Sequence, residues 1–169
     1  EREPQARERN LWGQEHRNYM ADEIIIGDIH LLKGRPYASR EEVLIAMTEI
    51  LAGKLDIRTA RRVADSMWDR EESMPTYLEN GLAVPHARVS GLQNLLLIAA
   101  WIPGGVPWPG EYQRAELVIF LYLPERFVSE YLKVMRKLLL WMKDIPEAEK
   151  KARWSDGNYL KSELTKALS

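Results

Sequence analysis

The 169-residue sequence contains no cysteine, which excludes disulfides and thiolate metal sites and fits a reducing cytosol. Its three histidines, His16, His30 and His86, are scattered, so no metal site is expected, and nothing in the sequence implies a cofactor. Neither sign of charge dominates: 24 basic and 25 acidic side chains are interspersed, for a formal net charge of -1. That balance excludes the broad positive face demanded by nucleic acid or an anionic lipid surface. No apolar run approaches the ~20 residues that cross a bilayer, and the first residues lack the charged-then-apolar layout of a secretory signal. Internal repeats and low-complexity tracts are also missing.

What is present suits one domain, since 169 residues with 46% hydrophobic content can bury one substantial core. The first methionine is Met20, and residues 1–19 are dense in Arg, Glu and Gln. The expectation is therefore a linker, or the end of a preceding segment, over residues 1–21 and a folded domain over 22–169.

From Asp22 the apolar pattern becomes regular. Ile24, Ile25, Ile26 and Ile29 predict a first strand. Ser39, with Glu42 three residues on, predicts a capped helix carrying a stripe of Val43, Leu44, Met47, Ile50 and Leu51 and closing at Gly53. Asp56 predicts the cap of a second helix, with Ile57, Ala60, Ala64, Met67 and Trp68 inward, Arg61, Arg62, Asp65 and Asp69 outward, and Arg70 at its end. The runs 95–102 and 117–123 are almost continuously apolar, as expected of strands covered on both faces. The Pro- and Gly-rich stretch 103–110 between them predicts the turn of a hairpin. Val128, Tyr131, Leu132, Met135, Leu138, Leu139 and Met142 predict a long helix ending before Pro146, and residues 159–168 a short last one. The order βααβββαα implies an α/β fold in which a mixed sheet is flanked by helices on its faces.

The candidate chemistry lies in residues 70–86, REESMPTYLENGLAVPH. Pro85 holds its own φ near -65° and biases Val84 to an extended conformation, so His86 is presented in one orientation at a strand end. A neutral imidazole there can attack phosphorus and pass a phosphoryl group on. Arg70 and Arg88 are the nearest cations in sequence, the Thr76 hydroxyl is a donor, and the amides around Asn80 and Gly81 could form an anion-binding nest. The competing interpretation of each is structural: a hydrogen-bonded core histidine, solvated arginines, a loop threonine. His16 and His30 have no partner at recognisable spacing, and the six tryptophans are expected to fill core and surface grooves.

The segment resembles the phosphorylation site of enzyme IIA of the mannitol/fructose class, which includes the nitrogen-regulatory proteins, from the bacterial phosphoenolpyruvate-dependent phosphotransferase system. Arg70, Glu71, Thr76, Asn80, Gly81, Ala83, Pro85 and His86 match that motif at the same spacing. The GVPWPG loop, the strand ending in LPE and the SEYLK helix extend the similarity from about residue 22 to the end. The resemblance implies a mixed sheet flanked by helices, a histidine phosphorylated by HPr or its nitrogen-branch relative, and a transporter or regulatory partner such as a permease IIB domain.

Three departures bear on activity. Tyr131 stands where the family usually has a second histidine, and a phenol cannot carry an imidazolium charge beside a phosphoryl group. Glu79 replaces a usual glycine; a carboxylate about 6 Å from a phosphate would cost roughly 3 kcal/mol per charge at an effective dielectric near 20. Tyr77 also replaces a glycine, and a positive φ there would cost about 1–2 kcal/mol. The sequence therefore supports a regulatory module with His86 as phosphoryl acceptor, with Arg70 and Arg88 binding phosphate, Thr76 orienting it and Tyr131 replacing the second histidine. The alternative is a competent carrier from an HPr-type donor to a sugar-permease IIB domain. Either is expected in the cytoplasm, alone or as the cytoplasmic part of a membrane protein.

Overall fold

The computed structural model of the chain describes residues 26–32, 36–110, 113–127 and 129–169. Ile24 and Ile25 of the expected first strand, Val128 of the expected long helix and the expected linker 1–21 lie outside them. The elements run β1 (Ile26–Leu31), α1 (Arg40–Ala52), α2 (Ile57–Ser73), β2 (Leu82–Ala83), β3 (His86–Val89), β4 (Leu95–Pro107), β5 (Arg114–Pro124), α3 (Glu130–Lys143), α4 (Glu147–Trp154) and α5 (Gly157–Leu168).

The two apolar runs form the centre of the sheet. β4 and β5 pair antiparallel, β1 adds parallel to β4, and β2 and β3 both add parallel to the far side of β5. Strand alternation sorts the side chains. Leu95, Leu97, Ala99 and Trp101, with Leu117, Ile119, Leu121 and Leu123, face a layer carrying Val134, Leu138, Met142, Trp154, Leu160 and Leu164 of α3, α4 and α5. Leu96, Ile98, Ala100 and Ile102, with Val118, Phe120 and Tyr122, face Val43, Met47, Leu51, Ala60, Ala64 and Met67 of α1 and α2. Burial on both faces removes the polar alternation, which is why these strands are legible as unbroken hydrophobic runs. Tyr122 is fully buried with its hydroxyl on Met47 Sδ at 2.6 Å, and burial pushes its phenol pKa upward.

The caps follow local chemistry. Ser39 Oγ accepts the Glu42 N–H at 3.3 Å, while the Glu42 carboxylate reaches back to the Ala38 N–H at 3.1 Å. Asp56 Oδ1 accepts the Thr59 N–H at 3.0 Å. Four expectations need correction. Gly53 ends α1 with φ -75°, so glycine's left-handed freedom is not used there. Ile57 is exposed at the first turn of α2, ahead of the stripe that reaches the sheet. The stretch 103–110 is not the hairpin turn: β4 continues through a bulge between Trp101 and Val106, where Gly104 and Gly105 take positive φ and Arg114 bonds both their carbonyls. The expected order lacks helix α4, because a proline that follows one helix equally suits the start of the next.

Candidate functional site

The register explains how the histidine is presented. Leu82 faces Leu117 and His86 faces Leu121, so β2 and β3 are two pieces of one strand in a single register along β5. Pro85, which has no N–H to give, marks the break, and its carbonyl accepts the Leu121 N–H at 2.9 Å. Among the described residues β3 pairs with β5 alone, so His86 stands on an edge strand.

The loop before it is built by an Asn-Gly turn. Asn80 and Gly81 have φ 54° and 81°, the Leu82 N–H reaches the Glu79 carbonyl at 3.0 Å, and Tyr77 bridges Ala83 antiparallel. Two consecutive left-handed residues are what a tight hairpin turn of the primed type needs. The Gly81 N–H donates to Tyr77 Oη at 2.8 Å, its carbonyl accepts from Glu116 and Leu117, and Lys150 Nζ holds the Asn80 carbonyl at 2.9 Å. Asn80 and Gly81 thus shape the loop and are not among the residues lining the cleft around His86. The positive φ expected as a cost at Tyr77 falls on Asn80 instead, where an L-residue tolerates it best. Glu79 is exposed and likewise outside the cleft wall.

The cleft, about 390 Å³, is walled by Ser66, Met67 and Arg70 of α2, His86, Ala87 and Arg88 of β3, Leu123 of β5 and Tyr131 of α3. Of the predicted site residues the fold brings His86, Arg70, Arg88 and Tyr131 together. His86 and Arg88, two apart on a strand, project to the same face. Tyr131 stacks on the imidazole with ring centroids 5.7 Å apart and planes inclined by 19°. Thr76 stands elsewhere: its N–H and hydroxyl are both spent on Glu71, at 2.7 and 2.8 Å.

Glu71 belongs to the matched motif, yet no role for it follows from the sequence. It is 1% exposed, and besides Thr76 it accepts Trp108 Nε1–H at 2.8 Å. The signal lay in the spacing: 60, 64, 67 and 71 continue one buried stripe, so this carboxylate sits on the apolar face of α2. It ties α2, the loop at Thr76 and the end of β4 together.

His86 Nδ1 lies 3.1 Å from the Val84 carbonyl. A carbonyl can only accept, so Nδ1 carries the proton and the lone pair is on Nε2. Burial lowers the pKa of the half-buried ring; the Val84 hydrogen bond and the Glu71 charge pull it back up, while Arg70 and Arg88 push it further down. The net shift is downward, so the ring is neutral at pH 7. As pH falls through 6.5 the unfolded chain takes up its proton before the folded one does, and this residue's contribution disfavours folding progressively until its lowered native pKa is passed. We expect an NMR titration of His86 to give a midpoint below 6.5; a midpoint at or above it would contradict this environment.

Among the described residues no three His, Asp or Glu side chains converge on a possible metal, and no helix is long and apolar enough to cross a membrane. The arrangement is a neutral imidazole with an available Nε2 beside two guanidinium-bearing side chains.

Comparison with known proteins places the chain. The family described as phosphoenolpyruvate-dependent sugar phosphotransferase system, EIIA 2, matches residues 29–163. The nitrogen regulatory protein of Pseudomonas aeruginosa is 26% identical over 104 residues, covering 61% of this chain and 68% of that protein. The 2-O-alpha-mannosyl-D-glycerate-specific EIIABC component of Escherichia coli is 30% identical over 90 residues, 52% of this chain but 14% of that protein, so the chain spans a small part of that relative. Among solved structures, IIA-Ntr from Neisseria meningitidis superposes with a TM-score of 0.67 at 19% identity, covering 80% of this chain and 91% of that one. The IIA mannitol structure from Escherichia coli gives 0.61 at 25% identity, covering 80% and 95%. With the sheet, its flanking helices and most of the chain length accounted for, the protein belongs to the EIIA 2 family of the phosphoenolpyruvate-dependent sugar phosphotransferase system.

Proposed function

We propose that His86 Nε2 accepts a phosphoryl group and that the domain acts as a regulatory module whose phosphorylation state is set by an HPr-type phosphocarrier. The observation that carries this reading is the tautomer: Nδ1–H is held on Val84, leaving Nε2 unprotonated inside a cleft walled by Arg70 and Arg88. Nε2 attacks the phosphorus of the donor's phosphohistidine; a new N–P bond forms as the donor's N–P bond breaks, and the donor imidazole departs with the electron pair. The ring that results is positive, and the Val84 carbonyl already faces its remaining N–H. Arg70 and Arg88 bind the phosphoryl oxygens, where positioning and charge carry most of the catalysis. Thr76 acts through Glu71 rather than on the phosphate, and Asn80 and Gly81 support by shaping the loop.

Tyr131 favours regulation over rapid relay. It covers one face of the imidazole without a cation to draw the phosphoryl group onward. The second reading, onward transfer to a IIB domain, is supported by the Escherichia coli IIA mannitol protein solved in complex with phosphorylated IIB. In either case the domain works beside a transporter or regulator.

The test is intact-mass spectrometry after incubation with phosphoenolpyruvate, enzyme I and HPr or its nitrogen-branch equivalent. An acid-labile gain of about 80 Da, absent from His86→Ala, is the expected result. No gain in a folded domain with any donor sinks the proposal. A chase with IIB distinguishes the two readings: retention of the label supports the regulator, rapid loss the carrier.

A further inference from the structure

The cleft around His86 does not end at Arg88. A second lobe of about 290 Å³ opens beyond it, and the two lobes share Ser66, Ala87 and Arg88. Helix geometry makes them continuous: residues 62, 66 and 70 of α2 lie one turn apart on one face, opposite β3. The second lobe is lined by Arg62 and Arg88, by the hydroxyl residues Thr59 and Ser90, and by one acid, Glu125. Over both lobes, among the described residues, three arginines face a single carboxylate.

We propose that the joined lobes bind a small molecule carrying a chain of linked phosphates. One terminal phosphate sits beside His86 between Arg70 and Arg88, and the chain runs on to Arg62. Guanidinium forks suit successive phosphates because each presents paired donors to paired oxygens. Arg62 and Arg70 are separated by about 12 Å of helix rise. A single phosphate cannot bridge that span, whereas a chain of three can as the arginine stems lean inward. This inference rests on the proposed role of His86 for its consequence: the bound anion covers Nε2 and holds the domain unphosphorylated.

Calorimetric titration at fixed ionic strength tests it, with orthophosphate and tripolyphosphate as probes. Tripolyphosphate is expected to bind about tenfold more tightly than orthophosphate. Arg62→Gln abolishes that advantage, while Arg61→Gln, the same charge change at an exposed neighbour outside the groove, leaves it within about twofold. ATP binding as tightly as tripolyphosphate identifies the phosphate chain as the whole epitope, and tighter binding adds a nucleoside contact; both uphold the site. Equal affinity for the two inorganic probes, or equal loss in the Arg61 and Arg62 variants, overturns it. Donor phosphorylation of the same samples separates the two proposals: a domain that is phosphorylated on His86 yet shows no preference for chain length keeps its proposed function and loses this site.

Discussion

Glu71→Ala is expected to lower the melting temperature by about 6–12 °C, although the side chain is a carboxyl group in the last turn of α2. The carboxylate is buried and accepts the Thr76 N–H, the Thr76 hydroxyl and Trp108 Nε1–H. Truncation strands those donors. Trp108 is 2% exposed, so its indole N–H finds no water, while half-buried Thr76 recovers part of its loss from solvent. The sum is about 3 kcal/mol, at about 2–4 °C per kcal/mol for a domain of this size. Glu71→Gln keeps the shape and one acceptor but turns an amide NH2 toward donors, so it should fall between wild type and alanine. Thermal unfolding followed by circular dichroism reads the order directly. An alanine variant as stable as wild type would show that the three hydrogen bonds contribute nothing net.

The second large effect concerns rate rather than stability. Arg70→Gln should reduce phosphorylation of His86 by an HPr-type donor about 100-fold with little change in melting temperature, comparable to removing one donor from a preorganised anion site. Arg70 is exposed at the mouth of the cleft and no ion pair of its own is found among the described residues, so its loss leaves no buried partner stranded. Its charge also helps to depress the His86 pKa, after burial has made the main contribution. The variant should therefore show a His86 titration displaced upward, bringing its acid limb closer to neutral pH. A slower rate with an unmoved titration would place Arg70 in donor docking alone; an unchanged rate would remove it from the site.

These two neighbours on α2 show what could be inferred locally and what could not. Arg70 is legible as one of the two cations nearest His86 in sequence. Glu71 continued the buried stripe through 60, 64 and 67, a signal visible in the spacing but overridden by its charge. Its partners could not be inferred, since Trp108 reaches it from the end of β4, in a stretch whose prolines and glycines suggested a turn. The Asn80-Gly81 pair is the reverse case. It is a strong short-range hairpin signal, yet its closeness to the histidine in sequence suggests anion binding instead.

The amino-acid sequence by itself determined the parts whose cause is local: the Ser39 and Asp56 caps, the doubly buried runs of β4 and β5, and a histidine oriented by the proline before it. These follow from side-chain hydrogen bonding to nearby amides, from burial on both faces, and from restricted φ, all of which act within a few residues. Tertiary structure alone decided the company His86 keeps. Pairing of β3 with β5 and packing of α3 against the sheet bring Tyr131 onto the ring and Arg88 and Arg70 into one cleft, while the same packing turns Thr76 toward Glu71. Distances between segments remote in sequence are set by register and by layer packing, and neither is written in the spacing of a motif.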